Sequence, residues 1–117
     1  MSITTLNLEA ATLENEYYRS VVYTGEIQLV LMSVDDEIEL EKHPDTDQFF
    51  RVERGRGYAE IAGVRYALSD GASVIVPKNT LHRIKNTGVE PLKLYTIYSK
   101  PQHPAHTMQR TQFDPEI

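Results

Sequence analysis

Two short segments of the chain carry side chains that can hold a metal ion. The first contains Glu41, His43 and Gln48, and the second contains His82, which follows a turn around Pro77. Together they offer two imidazole nitrogens, one carboxylate oxygen and one amide oxygen, a donor set that suits Fe(II), Mn(II), Co(II), Ni(II) or Zn(II). The sequence therefore predicts one divalent transition-metal ion as a cofactor.

The spacing of these residues predicts how they meet. Glu41 and His43 are two positions apart, so in a β-strand both side chains point to the same side. We expect a turn through residues 45–47 to start an antiparallel neighbour at Gln48, which would place Gln48 beside that pair. His82 must come from a distant strand. Four such ligands leave two positions of a six-coordinate ion open and a formal charge of +1, which suits an anionic or carbonyl-bearing small molecule.

From residue 20 onward the chain alternates between short β-prone runs and turns rich in glycine, asparagine and aspartate. The predicted strands are residues 20–24, 27–34, 38–43, 48–53, 58–62, 65–68, 72–76, 81–85 and 92–98. This pattern is typical of an all-β sandwich or barrel with a single domain. We divide the chain into an N-terminal arm (1–19) that is either a short helix or irregular, a barrel (20–100) and an irregular tail (101–117). His103 and His106 are interpreted as loop residues of that tail, with the alternative that one of them caps the mouth of the barrel.

Composition limits the classes of function. The chain has 117 residues, no cysteine and a formal net charge of −5. Disulfides, thiolate metal sites and a cysteine nucleophile are excluded, and the acidic balance argues against a nucleic-acid partner. No apolar run approaches the roughly 20 residues that span a bilayer, and the N-terminus lacks the features of a signal peptide. We therefore expect no membrane partner and a cytoplasmic location.

The segment around His82 resembles the second conserved motif of the cupin superfamily. Gly71, Pro77, His82 and Asn86 match that motif at its spacing, and Asn79 stands where the motif has its second glycine. Asparagine is the residue that best replaces glycine where φ is positive. The resemblance implies a cupin fold, which is a double-stranded β-helix or jelly-roll barrel.

The first cupin motif is matched less completely. His43 and Gly55 match its second histidine and its glycine, whereas Glu41 stands at its first histidine and Gln48 at its glutamate. Both replacements can still coordinate a metal. Further phrases at 28–33, 47–53 and 91–98 are similar to small single-domain cupins that resemble mannose-6-phosphate isomerase. Some cupins that act on unsaturated uronic acids also carry glutamine at the position of Gln48.

Other residues are predicted to face the metal. Phe50 and Val52 share the parity of the predicted amide ligand, and with Ile84 they are expected to form the wall of the substrate pocket. Tyr95 and Tyr98 lie on opposite faces of one strand, so at most one of them faces the pocket, where it could donate a proton or orient the substrate.

These residues support three functional hypotheses. The first is a metal-dependent enzyme that isomerises, tautomerises or cleaves a small oxygenated metabolite such as a sugar, sugar acid or keto compound. The second is an Fe(II) dioxygenase with the same ligands, and the third is a non-enzymatic module that binds a sugar or metabolite. In each case the partner is a small molecule, and we expect a homodimer joined through a sheet edge or the N-terminal arm.

Overall fold

The computed structural model describes residues 5–116, which form one helix and ten β-strands. The elements are α1 (Leu8–Glu14), β1 (Arg19–Thr24), β2 (Gln28–Val34), β3 (Glu37–Glu41), β4 (Gln48–Arg54), β5 (Gly57–Ile61), β6 (Val64–Leu68), β7 (Ser73–Val76), β8 (His82–Asn86), β9 (Leu92–Tyr98) and β10 (Met108–Gln109). Residues 1–4 of the predicted arm and residue 117 of the predicted tail lie outside the described residues. No helix in the described part of the chain is long and apolar enough to cross a membrane.

The nine predicted strands correspond to β1–β9, and every end agrees within two residues. Agreement at the ends follows from the turn residues, because glycine, asparagine, aspartate and proline mark the points where extended backbone stops. The all-β class predicted from the sequence is confirmed. Within the N-terminal arm, Asn7 begins α1 by accepting a hydrogen bond from the Ala10 backbone N–H at 3.0 Å.

The strands form two antiparallel sheets with the orders β10-β1-β2-β9-β4-β7 and β3-β8-β5-β6. β3 pairs with β8, whereas β4 pairs with β7 and β9. The prediction that β4 is the antiparallel neighbour of β3 is therefore wrong. The connection from β3 to β4 is anchored in the opposite sheet by Ser99, directly after β9. The Asp47 backbone N–H donates to Ser99 Oγ at 2.9 Å, and the Ser99 backbone N–H donates to the Asp47 carbonyl oxygen at 3.0 Å. The chain thus crosses between sheets where the sequence predicts a hairpin.

The core lies between the two sheets. Strand β2 is buried at six of its seven positions, because its inner face packs in the core while α1 lies against the same sheet. Side chains on both faces of this strand are therefore buried. The buried apolar side chains that fill the core are Tyr18, Val21, Val30, Met32, Val34, Ile38, Phe50, Val52, Ala59, Leu68, Val76, Ile84, Leu92, Leu94 and Tyr98.

Two turn positions require unusual backbone. Gly55 has a φ of +122°, and a Cβ added there would meet Leu92 Cδ1 at 2.9 Å. Asn79 has a φ of +62°, which confirms the expectation that asparagine replaces glycine at a left-handed position. The Asn79 backbone N–H donates to the carbonyl oxygen of His43 at 2.6 Å. The turn before β8 therefore holds the backbone that carries His43.

The tail folds back over the barrel. The Gln28 side-chain oxygen accepts hydrogen bonds from the backbone N–H groups of Gln102 and His103 at 3.0 and 3.1 Å. Further along, β10 pairs with β1, where Gln109 lies opposite Arg19. The sequence predicts an irregular tail, whereas this short strand fixes its course, because the pairing partner lies about ninety residues away.

Candidate metal centre

Glu41, His43 and His82 converge at one end of the space between the sheets. One donor atom from each lies within 4.8 Å of the other two. The Glu41 Oε1 atom is 3.2 Å from His43 Nε2 and 3.5 Å from His82 Nε2. Atoms that ligate one ion at about 2.1 Å are separated by roughly 3 to 3.5 Å. The structure thus brings together three of the four predicted ligands at distances that fit one ion.

A β-bulge aims Glu41 into the barrel. Ile38 pairs with Ile84 and Glu41 pairs with His82, so β3 contains one more residue than β8 between these two pairs. Regular alternation would turn Glu41 to the face opposite that of the buried Ile38. The extra residue reverses that alternation, and bulges commonly redirect a side chain in this way.

His82 presents one nitrogen to the cluster and secures the other. Its Nδ1 atom lies 2.9 Å from the Thr80 carbonyl oxygen. A carbonyl only accepts, so Nδ1 carries the proton and Nε2 keeps its lone pair in the neutral imidazole. Only 1% of the residue is exposed, and Nε2 has no hydrogen-bond partner among the described residues. A buried lone pair in this arrangement is suited to a metal.

Gln48 enters from the opposite sheet. It begins β4 and lies across from Tyr98, whose ring is 5.4 Å from that of His43. The side-chain amide donates from Nε2 to Thr96 Oγ1 at 2.9 Å, which leaves Oε1 buried and without a partner in the described chain. The amide orientation therefore frees the oxygen, the atom that a hard divalent ion prefers.

The electrostatics of the cluster favour an ionised Glu41. Burial by itself raises the pKa of this carboxyl, but its hydrogen bond to His43 and the nearby imidazole of His82 outweigh burial and lower the pKa to about 2. The carboxylate is therefore charged throughout the physiological pH range. It can bind a cation without first losing a proton.

Of the two predicted tyrosines, Tyr98 faces the cluster and Tyr95 does not. Tyr95 lies on the outer face of the sheet, with its ring 6.2 Å from that of Phe49. Tyr98 is 1% exposed, and its hydroxyl is 3.0 Å from His103 Nε2. Burial raises the pKa of Tyr98, which keeps the phenol protonated.

The three predicted pocket residues are all buried, at 1% exposure each. The ring of Phe50 is 6.2 Å from that of His82, which places Phe50 beside the cluster. Val52 pairs with Leu94, and Ile84 pairs with Ile38. Val52 and Ile84 therefore belong to the apolar core behind the cluster.

A cavity of about 200 Å³ adjoins the cluster at Glu41. Its polar lining comes from three separate parts of the chain, namely Tyr18, Arg19, Glu39, His103, Gln112 and Glu116. None of these residues is predicted to be functional from the sequence, apart from the alternative that His103 or His106 caps the barrel mouth. No local signal marks them, because the β1–β10 pairing alone brings the tail to the barrel opening.

Two antiparallel sheets that enclose a histidine and carboxylate cluster define a small β-barrel of the jelly-roll class. Residues 28–98 match the family described as Cupin domain, and the chain belongs to this family. The predicted cupin fold is therefore confirmed.

Related proteins cover most of this chain. A crystal structure of BH2720 from Bacillus halodurans is 38% identical, with a TM-score of 0.91 over 94% of this chain and 90% of that one. Protein YrkC of Bacillus subtilis (strain 168) is 39% identical over 93% of this chain and 63% of its own length. Protein L612 of Acanthamoeba polyphaga mimivirus is 41% identical over 85% of this chain and 66% of its own length. The chain thus spans slightly less than two thirds of either curated relative.

Proposed function

We propose that this cupin is a metal-dependent enzyme that isomerises, tautomerises or cleaves a small oxygenated metabolite. The observation that carries the proposal is a pair of buried atoms, His82 Nε2 and Gln48 Oε1, which have no hydrogen-bond partner in the described chain. Each unpaired buried polar group costs about 1 to 3 kcal/mol. A cation held by these atoms together with Glu41 and His43 would remove that cost.

The donor set fits a divalent ion of the Fe, Mn, Co, Ni or Zn group. When bound, the ion would supply Lewis-acid polarisation of a substrate oxygen. The chain's own contribution is to orient the donors. Thr80 fixes the tautomer of His82, and Thr96 fixes the amide of Gln48.

Tyr98 is the residue that we propose to hold or move a proton. Its hydroxyl donates to His103 Nε2, while His103 Nδ1 donates to the Glu116 carboxylate. Burial and the nearby charge of Arg19 lower the pKa of His103, which keeps its ring neutral and able to accept from Tyr98. The three side chains form a hydrogen-bonded path from the cluster towards the barrel opening.

The test uses metal-loaded protein in D₂O with a panel of sugars, hydroxy acids and keto acids. We expect metal-dependent incorporation of deuterium next to a carbonyl, observed by NMR, or formation of an isomerised or cleaved product. Tyr98→Phe should slow the reaction by about 10²- to 10⁴-fold, while Tyr95→Phe, on the outer face, should not. Metal-loaded protein that transforms no member of the panel would contradict the proposal.

A second candidate function is an Fe(II) dioxygenase. The observation in its favour is that the same four donors leave two positions of a six-coordinate ion for substrate and O₂. Oxygen uptake by iron-loaded protein with diketones or catechols would support it, and no uptake with any of them would reject it. Ligand binding that survives His82→Ala would instead favour the non-enzymatic binding module.

Two narrower statements remain proposals. We place the chain among the small cupins that resemble mannose-6-phosphate isomerase, on the phrases at 28–33, 47–53 and 91–98. We also propose a homodimer. Because α1 packs on its own barrel and its Thr12 is fully buried, a sheet edge is the better candidate for the interface than the N-terminal arm. Sedimentation equilibrium tests the dimer, which a single monomeric species would contradict.

A further inference from the structure

The cavity beside Glu41 contains an arginine that makes no direct ion pair. Arg19 lines this cavity, yet only 7% of the residue is exposed. Among residues 5–116, no carboxylate oxygen lies within 4.0 Å of its guanidinium nitrogens. Buried arginine and lysine side chains are usually paired with a carboxylate, because a buried charge without a partner costs several kcal/mol.

The contacts of Arg19 hold the guanidinium in place without neutralising it. Its Nη1 donates to the side-chain oxygen of Gln109, a neutral amide, and its Cζ lies 5.1 Å from the centre of the Tyr18 ring. Its buried Nε has no hydrogen-bond partner among the described residues. The guanidinium of Arg19 is therefore held in a fixed orientation, and some of its N–H groups remain free to donate hydrogen bonds.

We propose that Arg19 binds the carboxylate of the substrate, and that the substrate is a small carboxylic acid with a second oxygen donor. The carboxylate would meet Arg19, while the hydroxyl or carbonyl oxygen would point towards Glu41 and the metal ligands. The metal end of this arrangement rests on the function proposed above. The Arg19 end rests on the buried, unpaired guanidinium alone.

The volume of the cavity limits the size of the acid. About 200 Å³ corresponds to roughly seven water molecules at about 30 Å³ each. An acid of a few carbon atoms fills this space, and a nucleotide or an oligosaccharide would extend beyond it.

The charges around the cavity favour a carboxylate over a phosphate. Glu39, Glu41 and Glu116 also line it, so a dianion would meet more repulsion than a monoanion. The planar guanidinium matches the geometry of a carboxylate. A small monocarboxylate with a neutral oxygen donor is therefore the favoured ligand class.

The experiment is calorimetric titration of the metal-loaded full chain with glycolate, pyruvate and lactate, each compared with its amide and with inorganic phosphate. We expect at least one acid to bind about tenfold to a hundredfold more tightly than its amide, as charge-assisted hydrogen bonds provide. Arg19→Gln should remove that preference and leave the metal content unchanged. Arg56 is an exposed arginine after β4, and Arg56→Gln is the matched control. It should change neither the preference for the acid over its amide nor the metal content.

A second variant protects the test against a folding defect in Arg19→Gln. Gln109→Glu keeps the length of the side chain and gives Arg19 an internal carboxylate, so it should compete with the ligand and weaken acid binding about tenfold or more. Equal binding of acid and amide to the unmodified protein, tighter binding of phosphate, or acid affinity that is unchanged in both variants would each overturn the proposal.

The two proposals fail in different ways. Protein that holds no metal contradicts the proposed function, but the acid should still raise the melting temperature of the unmodified chain and not that of Arg19→Gln. Protein that holds metal and shows no Arg19-dependent acid binding contradicts only the carboxylate subsite.

Discussion

Glu41 and His82 are direct cross-strand partners on β3 and β8, and they face inward together because β3 contains one extra residue after Ile38. Without that residue, the carboxylate would follow the outward direction of Glu37, which pairs with Lys85. The charge of the proposed metal site thus depends on a local irregularity of the backbone rather than on strand alternation.

The bulge leads to a prediction about where a carboxylate can act. Glu41→Ala should lose metal, and adding Leu40→Glu should not restore it, because position 40 does not pair with His82 and Leu40 is 55% exposed. Metal content of the single and double variants, measured by mass spectrometry, checks this. Recovery of a full equivalent in the double variant would mean that the strand alternates regularly.

The Thr96 hydroxyl is expected to control metal affinity through Gln48. Thr96→Val preserves the side-chain shape but removes the hydrogen bond that orients the amide, so metal affinity should fall about tenfold to a hundredfold. Competition with a chelator measures the affinity. Thr12→Val removes a similarly buried hydroxyl from α1 and is the matched control. An equal loss of affinity in both variants would contradict an orienting role for Thr96.

The left-handed turn at Asn79 should contribute to stability. Asn79→Val places a β-branched residue at a φ of +62° and should lower the free energy of unfolding by about 1 to 2 kcal/mol. Asn79→Gly should stay within about 1 kcal/mol of the original chain, since glycine adopts this conformation freely. Urea denaturation measures both. A valine variant as stable as the glycine variant would show that the turn relaxes to ordinary backbone.

Stability should depend on pH through His103. Burial lowers its pKa below the ordinary 6.5, so the unfolded chain binds this proton more readily than the folded chain. The contribution to stability is complete above about pH 6.5 and is lost as the pH falls through the folded value. In melting curves from pH 7.5 downward, His103→Gln should flatten the acid decline, while the exposed His106→Gln should leave it unchanged. Parallel declines in all three proteins would contradict this assignment.

Much of this architecture can be predicted from the sequence, because the information is local. Turn residues mark the strand ends, and the spacing from Gly71 to Asn86 identifies the segment that carries His82. Asn79 reveals a left-handed position because few other residues tolerate one.

The parts that could not be predicted depend on pairing between distant segments. Nothing local distinguishes a hairpin at 45–47 from a crossing between sheets, which Ser99 decides from beyond β9. The bulge before Glu41 is visible only in its register with β8. Arg19 and His103 become part of the cavity only when β10 pairs with β1.

The most direct test of the metal centre is the metal content of the purified chain after exposure to Mn, Fe, Co, Ni and Zn and removal of unbound ions. Three convergent donors, with Gln48 as the proposed fourth ligand, predict about one equivalent of one of these metals. His82→Ala should bind little, and His106→Asn, which changes an exposed histidine at a left-handed position, should bind as much as the original chain. Well under one equivalent in the original chain, or a full equivalent in His82→Ala, would contradict the proposed centre.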